Sequence, residues 1–152
     1  MKTLKQILVL WISLSILTGC KTKDETISIL PFPNKVEKKS GSFLLTNATS
    51  LLCKNQSAKQ EAIFLLKALK ENNNIVLTEK ESEKNAIILF VDSSLKTGDE
   101  GYTLTISENN IEILSSKPAG LFYGIQSLIQ LCNGKDKIVI PCMNIEDAPA
   151  FR

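Results

Sequence analysis

The residues that could do acid–base chemistry stand in two adjacent pairs, Asp99-Glu100 and Glu146-Asp147. Two carboxylates converging on one bond can run glycosidic or proton-transfer work. Neighbours on an extended chain point to opposite faces, however, so neither pair is expected to act as a dyad on one substrate atom. No histidine occurs in the 152 residues. That removes Ser-His-Asp and Cys-His catalysis, histidine metal sites and a histidine general base together. Tyr102 and Tyr123 read as core or core-edge residues rather than general acids. Gly98-Asp99-Glu100-Gly101 lacks the Lys and the following helix of a phosphate cradle. No active site is assembled from these residues, and none has metal-ligand or cofactor spacing.

Cysteine chemistry is different. Met1-Lys2-Thr3-Leu4-Lys5 opens the chain with two positive charges, and an apolar run follows from Ile7 to Leu17. A membrane-spanning helix needs roughly 20 apolar residues, so this shorter run fits the core of a secretory signal peptide. Leu17-Thr18-Gly19-Cys20 then resembles the lipobox of bacterial lipoproteins, in which the cysteine is acylated and becomes the new N-terminus. The expectation is a leader over residues 1–19, lipidation at Cys20 and a polar tether over 20–26. Localisation follows: export and lipid anchoring to a bacterial membrane. In that setting Asn47-Ala48-Thr49 and Asn55-Gln56-Ser57 are chance matches to the glycosylation sequon. Of the remaining cysteines, Cys132 and Cys142 flank a short Gly-containing loop across which a bridge could form; with Cys53 they are read first as three small buried thiols.

Composition bounds what must position these residues. The chain is 43% hydrophobic and 22% charged, enough for one domain with a core. Eighteen basic residues against sixteen acidic give +2, too weak a balance for a nucleic-acid partner. Without residues 1–19 the chain loses Lys2 and Lys5 and becomes neutral.

The elements come from periodicity. Ile27-Ser28-Ile29-Leu30 alternates as a strand before Pro31-Phe32-Pro33. Val36-Glu37-Lys38 and Ser42-Phe43-Leu44-Leu45, separated by Ser40-Gly41, suggest a hairpin, and Leu51-Leu52-Cys53 a further strand. Ser57-Ala58-Lys59-Gln60 has the form of a capping box, followed by a helix with Ala58, Ala62, Leu65, Leu66 and Leu69 on one face. Asn72-Asn73-Asn74 supplies its left-handed stop. Ile75-Val76-Leu77 reads as a strand, and the apolar run Ala86–Val91 as a central one. Tyr102–Ser107 and Ile111–Ile113 form a hairpin about Glu108-Asn109-Asn110. A second helix starts at Pro118 and carries Leu121, Phe122, Ile125, Leu128, Ile129 and Cys132 on its apolar face. Gly120 and Gly124 leave one side of that helix bare for close packing. Ile138–Ile140 and Met143–Ile145 are strand pieces around Pro141. The Glu79–Lys84 charge run reads as a solvated loop. The predicted fold class is α+β: an antiparallel sheet with two helices on one face.

Three stretches carry a resemblance. Gly101-Tyr102-Thr103-Leu104-Thr105-Ile106, then Pro118-Ala119-Gly120-Leu121-Phe122-Tyr123-Gly124-Ile125-Gln126-Ser127-Leu128-Ile129-Gln130-Leu131, then Ile140-Pro141 with Ile145-Glu146-Asp147-Ala148-Pro149-Ala150-Phe151-Arg152, resemble the N-terminal domain of glycoside hydrolase family 20 β-N-acetylhexosaminidases. The opening Ile29-Leu30-Pro31-Phe32-Pro33 fits too. Ala150 departs from the Arg of many relatives. The resemblance implies a non-catalytic domain over 27–148, with 149–152 leading towards a (β/α)8 barrel. That barrel would hold an Asp-Glu pair promoting attack by the substrate's own acetamido oxygen. It is the implied partner, and N-acetylhexosamine-containing glycans the implied substrate of the parent. No catalytic residue carries over to this chain. Two alternatives stay open: the N-terminal domain of a family 84 enzyme, and a free-standing lipoprotein that binds a glycan or a protein. A polar surface all round would suit the latter, an exposed apolar patch the former readings.

Overall fold

A computed structural model of the chain describes residues 28–148. The leader, Cys20, the tether to Ile27 and the residues after Ala148 lie outside the described residues. In chain order the elements are β1 (Lys35–Thr46), β2 (Ser50–Cys53), α1 (Lys59–Asn73), β3 (Thr78–Glu79), β4 (Ala86–Val91), β5 (Tyr102–Ile106), β6 (Asn110–Ser115), α2 (Pro118–Leu131) and β7 (Lys137–Asp147). The seven strands form one sheet in the order β1-β7-β5-β6-β4-β2-β3.

The α+β class holds, but the sheet is mixed. β1–β7, β7–β5 and β5–β6 are antiparallel, whereas β6–β4, β4–β2 and β2–β3 are parallel. The two helices explain the parallel half. α1 connects β2 to its parallel neighbour β4, and α2 connects β6 to β7, which runs parallel to it on the far side of β5. Both crossovers step in the same direction across the sheet between strands of one polarity. The right-handed rule for such connections therefore places both helices on the same face. There they touch through Phe64 of α1 and Phe122 of α2, with ring centroids 5.2 Å apart.

The core lies between this helix layer and the sheet. Leu65 and Leu69 of α1 and Leu121, Ile125 and Leu128 of α2 are fully buried against Ile87, Leu89, Leu104, Ile111 and Ile113. Gly120 and Gly124 make that approach possible. A Cβ on Gly120 would sit 2.2 Å from the Gly101 carbonyl oxygen, and one on Gly124 would sit 2.5 Å from Ile113 Cγ2. The bare side of the helix thus lies directly on β5 and β6. β4 is the central strand expected, buried from Ala86 to Leu89. The β5–β6 hairpin turns inward Tyr102, Leu104 and Ile106.

Several local expectations are corrected. Residues 28–30 form no strand, because the Leu30 N–H and C=O are both taken by the Gln130 side chain. Ser40-Gly41 does not turn a hairpin. β1 runs straight through it as one strand on β7, and the chain absorbs Gly41 (φ +93) in an irregularity between Lys38, opposite Met143, and Ser42, opposite Pro141. The two strand pieces around Pro141 are likewise one strand. The capping box does not form: Gln56–Ala58 is a 3₁₀ turn, so Ser57 lies inside it and Ala58 takes the cap position without a side-chain bond. The stop at Asn74 is as expected, with φ 60° and its N–H on the Leu69 and Lys70 carbonyls. Ile75–Leu77 alternates in burial yet pairs with no strand. Its donors go to Leu69 O and to Asn47 Oδ1, and pairing begins only at Thr78. Phe122 and Ile129 fall outside the buried stripe of α2, on the flank towards α1.

Candidate functional site

The carboxylate pairs are dispersed into separate contacts. Asp99 pairs with Lys117 at 2.7 Å, and Glu146 with Lys35 at 2.7 Å. Asp147 instead accepts the Asn34 N–H at 3.1 Å. The contact with Glu146 raises the Lys35 ammonium above its ordinary pKa. Neither pair is brought to one point. Among the described residues, no three His, Cys, Asp or Glu side chains gather as a metal site.

Tyr102 is buried and shares a 2.6 Å hydrogen bond with Ser127 of α2. Burial pushes its phenol up to about 12. It therefore stays protonated through the neutral range, with its hydroxyl committed to the helix–sheet contact. Cys132 lies in the main core with its thiol also pushed up to about 12 by burial, and Cys142 is buried beside Glu108 and Lys39. Both are free thiols, as is Cys53. Cys53 is only half-buried, against the expectation of three buried thiols.

What the structure does assemble is a corner where the chain enters and leaves the domain. A strap, residues 29–34, crosses the outer side of α2. Gln130 grips it at two points: Leu30 N–H donates to Gln130 Oε1 at 2.8 Å, and Gln130 Nε2 donates to Leu30 O at 3.2 Å. Asn34 then ties the strap to the end of β7, its N–H on Asp147 Oδ1 and its Nδ2 on Ala148 O. A cavity of about 310 Å³ opens between strap and helix, lined by Leu30, Pro31, Phe122, Tyr123, Gln126 and Gln130. A second, about 440 Å³, lies beside the β7 end, lined by Asn34, Lys35, Thr97, Tyr102 and Asp147. Because Gln130 occupies the strap backbone, the Leu30 side chain stands out at 77% exposure, with Phe32 at 68% and Phe122 at 37%. Leu30 and Phe122 share the first cavity, and Phe122 continues onto Phe64. The result is an apolar strip along the outside of the helix layer.

Sequence reasoning missed Asn34, Gln130 and Asn85. Asn85 sits at φ 49° and joins three turns: its Oδ1 accepts from Thr49, its Nδ2 donates to Ala48 O, and its N–H donates to Asn109 O. The only signal for it was a polar residue directly before a buried strand.

The described residues thus form a helix-backed mixed sheet in which Asp99, Glu146 and Asp147 make structural contacts and an apolar strip stands exposed. The family model of glycosyl hydrolase family 20, domain 2, matches residues 26–148. The chain belongs to that family. It is 28% identical over 139 residues to a β-hexosaminidase of Porphyromonas gingivalis, covering 84% of this chain and 18% of that protein. A β-hexosaminidase of Vibrio furnissii is 28% identical over 134 residues, 86% of this chain and 21% of that protein. The structure of the exo-β-N-acetylglucosaminidase from Vibrio harveyi superposes with a TM-score of 0.72 at 26% identity, over 82% of this chain and 19% of that one. The chain therefore spans about a fifth of the length of the curated relatives it matches. The family 84 alternative falls with the family 20 match.

Proposed function

We propose that this chain serves as the non-catalytic supporting domain of an exo-β-N-acetylhexosaminidase that removes terminal N-acetylhexosamine residues from glycans. The helix layer would dock on the (β/α)8 barrel that carries the Asp-Glu pair, and Cys20 would anchor the protein by lipid to a bacterial membrane. The observation that supports docking over a free-standing role is the apolar strip of Leu30, Phe122 and Phe64. Exposed apolar patches of this kind mark interaction surfaces. The family relatives support the activity of the parent.

Three measurements test the reading. The purified chain should show no turnover of an aryl N-acetyl-β-glucosaminide; hydrolysis would overturn the division of labour. A family 20 barrel produced without its own equivalent domain should gain thermal stability when this chain is added, and Leu30→Asp with Phe122→Asp should abolish the gain. Metabolic labelling with a fatty-acid analogue should mark the wild type and leave Cys20→Ala unlabelled.

A further inference from the structure

The two edges of the sheet are defended unequally. β3 closes one edge with two residues, the second of them Glu79, and is followed by Lys80 and Glu81. Short, charged edges resist pairing with other chains. β1 closes the other edge over twelve residues. Its first half carries Lys35, Glu37, Lys38 and Lys39 and ends in the Gly41 irregularity. Its second half, Ser42-Phe43-Leu44-Leu45-Thr46, has no charge at all.

The hydrogen-bond pattern says which backbone groups this second half leaves open. The register with β7 is continuous from Ser42–Pro141 to Thr46–Lys137. Thr46 turns its N–H and C=O out of that ladder, because Thr49 engages both: Thr46 N–H donates to Thr49 Oγ1, and Thr49 N–H donates to Thr46 O. An antiparallel ladder alternates, so Leu44 and Ser42 also turn their N–H and C=O outwards. Pro141 opposite Ser42 agrees, since a proline has no N–H to give to a ladder pair there. Thr49 thus caps one outward residue and leaves two, spaced by two. On the sheet's outer surface Leu44 (44% exposed) stands beside its cross-strand neighbour Val139 (59% exposed).

We propose that this half-edge is a self-association site, at which β1 of a second copy of this chain pairs antiparallel about a two-fold axis through Phe43. Two outward residues spaced by two are self-complementary under that axis. Ser42 exchanges both backbone hydrogen bonds with Leu44 of the second copy, and Leu44 with Ser42 of the second copy, which uses every open group. No like charges are opposed, since Ser42–Thr46 carries no charged residue. Leu44 of each copy lies diagonally from the other, within reach across the new pair, and joins the two Leu44–Val139 pairs into one apolar patch.

Sedimentation of the full chain over a concentration series, combined with amide hydrogen exchange, tests this. A dimer is expected, with the Ser42 and Leu44 amides gaining protection as concentration rises while Thr46 does not change. Leu44→Lys should weaken the dimer more than tenfold at an unchanged circular dichroism spectrum, and Leu44→Ile should keep it. Phe122→Asp, on the helix face, should leave it intact. A monomer at several hundred micromolar would overturn the proposal. So would a dimer insensitive to Leu44→Lys, or one lost with Phe122→Asp, which would assign association to the helix face. Protection of Ser42 and Leu44 only when a family 20 barrel is added would overturn it as well, and would give the edge to that neighbour.

Discussion

Gly120 and Gly124 set the distance between helix and sheet, and the two are not equivalent. The atom facing Gly120 is a backbone carbonyl oxygen, which cannot give way, whereas Gly124 faces an Ile113 methyl and the Tyr102 ring. Alanine at Gly124 gains about 1 kcal/mol of helix propensity. Overpacking costs about 1–3 kcal/mol. Gly124→Ala is therefore expected to lower Tm by a few degrees, and Gly120→Ala to lower it further; thermal melts of both variants check the order. Tyr102 offers a pH test. Its phenol ionises near its ordinary value of 10.0 in the unfolded chain but only at about 12 in the fold. Its contribution is complete below pH 10 and is lost as pH rises from about 10 towards 12. Tyr102→Phe removes that loss but strands the Ser127 hydroxyl, which costs about 1–3 kcal/mol at neutral pH. Chemical denaturation across pH 7 to 12 should show wild type and variant converging above pH 10. A constant gap would contradict burial as the cause.

Among the elements, the strap is held by side chains where strands are held by ladders. Gln130→Ala should cost about 1 kcal/mol for each lost bond and bring exchange of the Leu30 amide close to that of an open one, with β1 unaffected. Gln130→Glu keeps the acceptor and should retain protection of that amide. The strap also shows where sequence periodicity stops being informative. α1, α2, β4 and the β5–β6 hairpin were legible because each is specified by neighbours within a few residues: heptad-like spacing, a buried apolar run, Pro118 at the first turn, Asn74 at the stop. The β1–β7 pairing joins residues more than ninety positions apart. Nothing local distinguishes a Ser-Gly that turns a hairpin from one that widens a strand opposite Pro141. The capping box failed for a related reason, since a 3₁₀ turn moved Ser57 out of the cap position. The family was legible in its motifs, but the Gln130 and Asn34 contacts of the candidate site were not, being amides that a sequence gives no cause to single out.

At the scale of the molecule, the sheet has one parallel half and one half built on the long β1–β7 ribbon, and the helix layer exposes the apolar strip of Leu30, Phe122 and Phe64. The chain should consequently present apolar surface in isolation: binding of a hydrophobic dye should be strong for the wild type and fall with Leu30→Asp and Phe122→Asp, without loss of secondary structure. If dye binding survives both substitutions, the strip is not the exposed surface that matters. The corner formed by Asn34, Lys35, Glu146 and Asp147 has a mechanical meaning as well. The first residues of β1 and the last of β7 lie side by side, so in the proposed arrangement tension between the upstream anchor and the downstream barrel would pull the two strands apart at their shared end. Antiparallel hydrogen bonds run perpendicular to the strands. Under that geometry the Leu30–Gln130 bonds load first, and the ladder then opens in sequence from Asn34–Asp147 inwards and does not resist together in shear. In that arrangement the domain would act as a compliant joint, yielding bond by bond at its shared end.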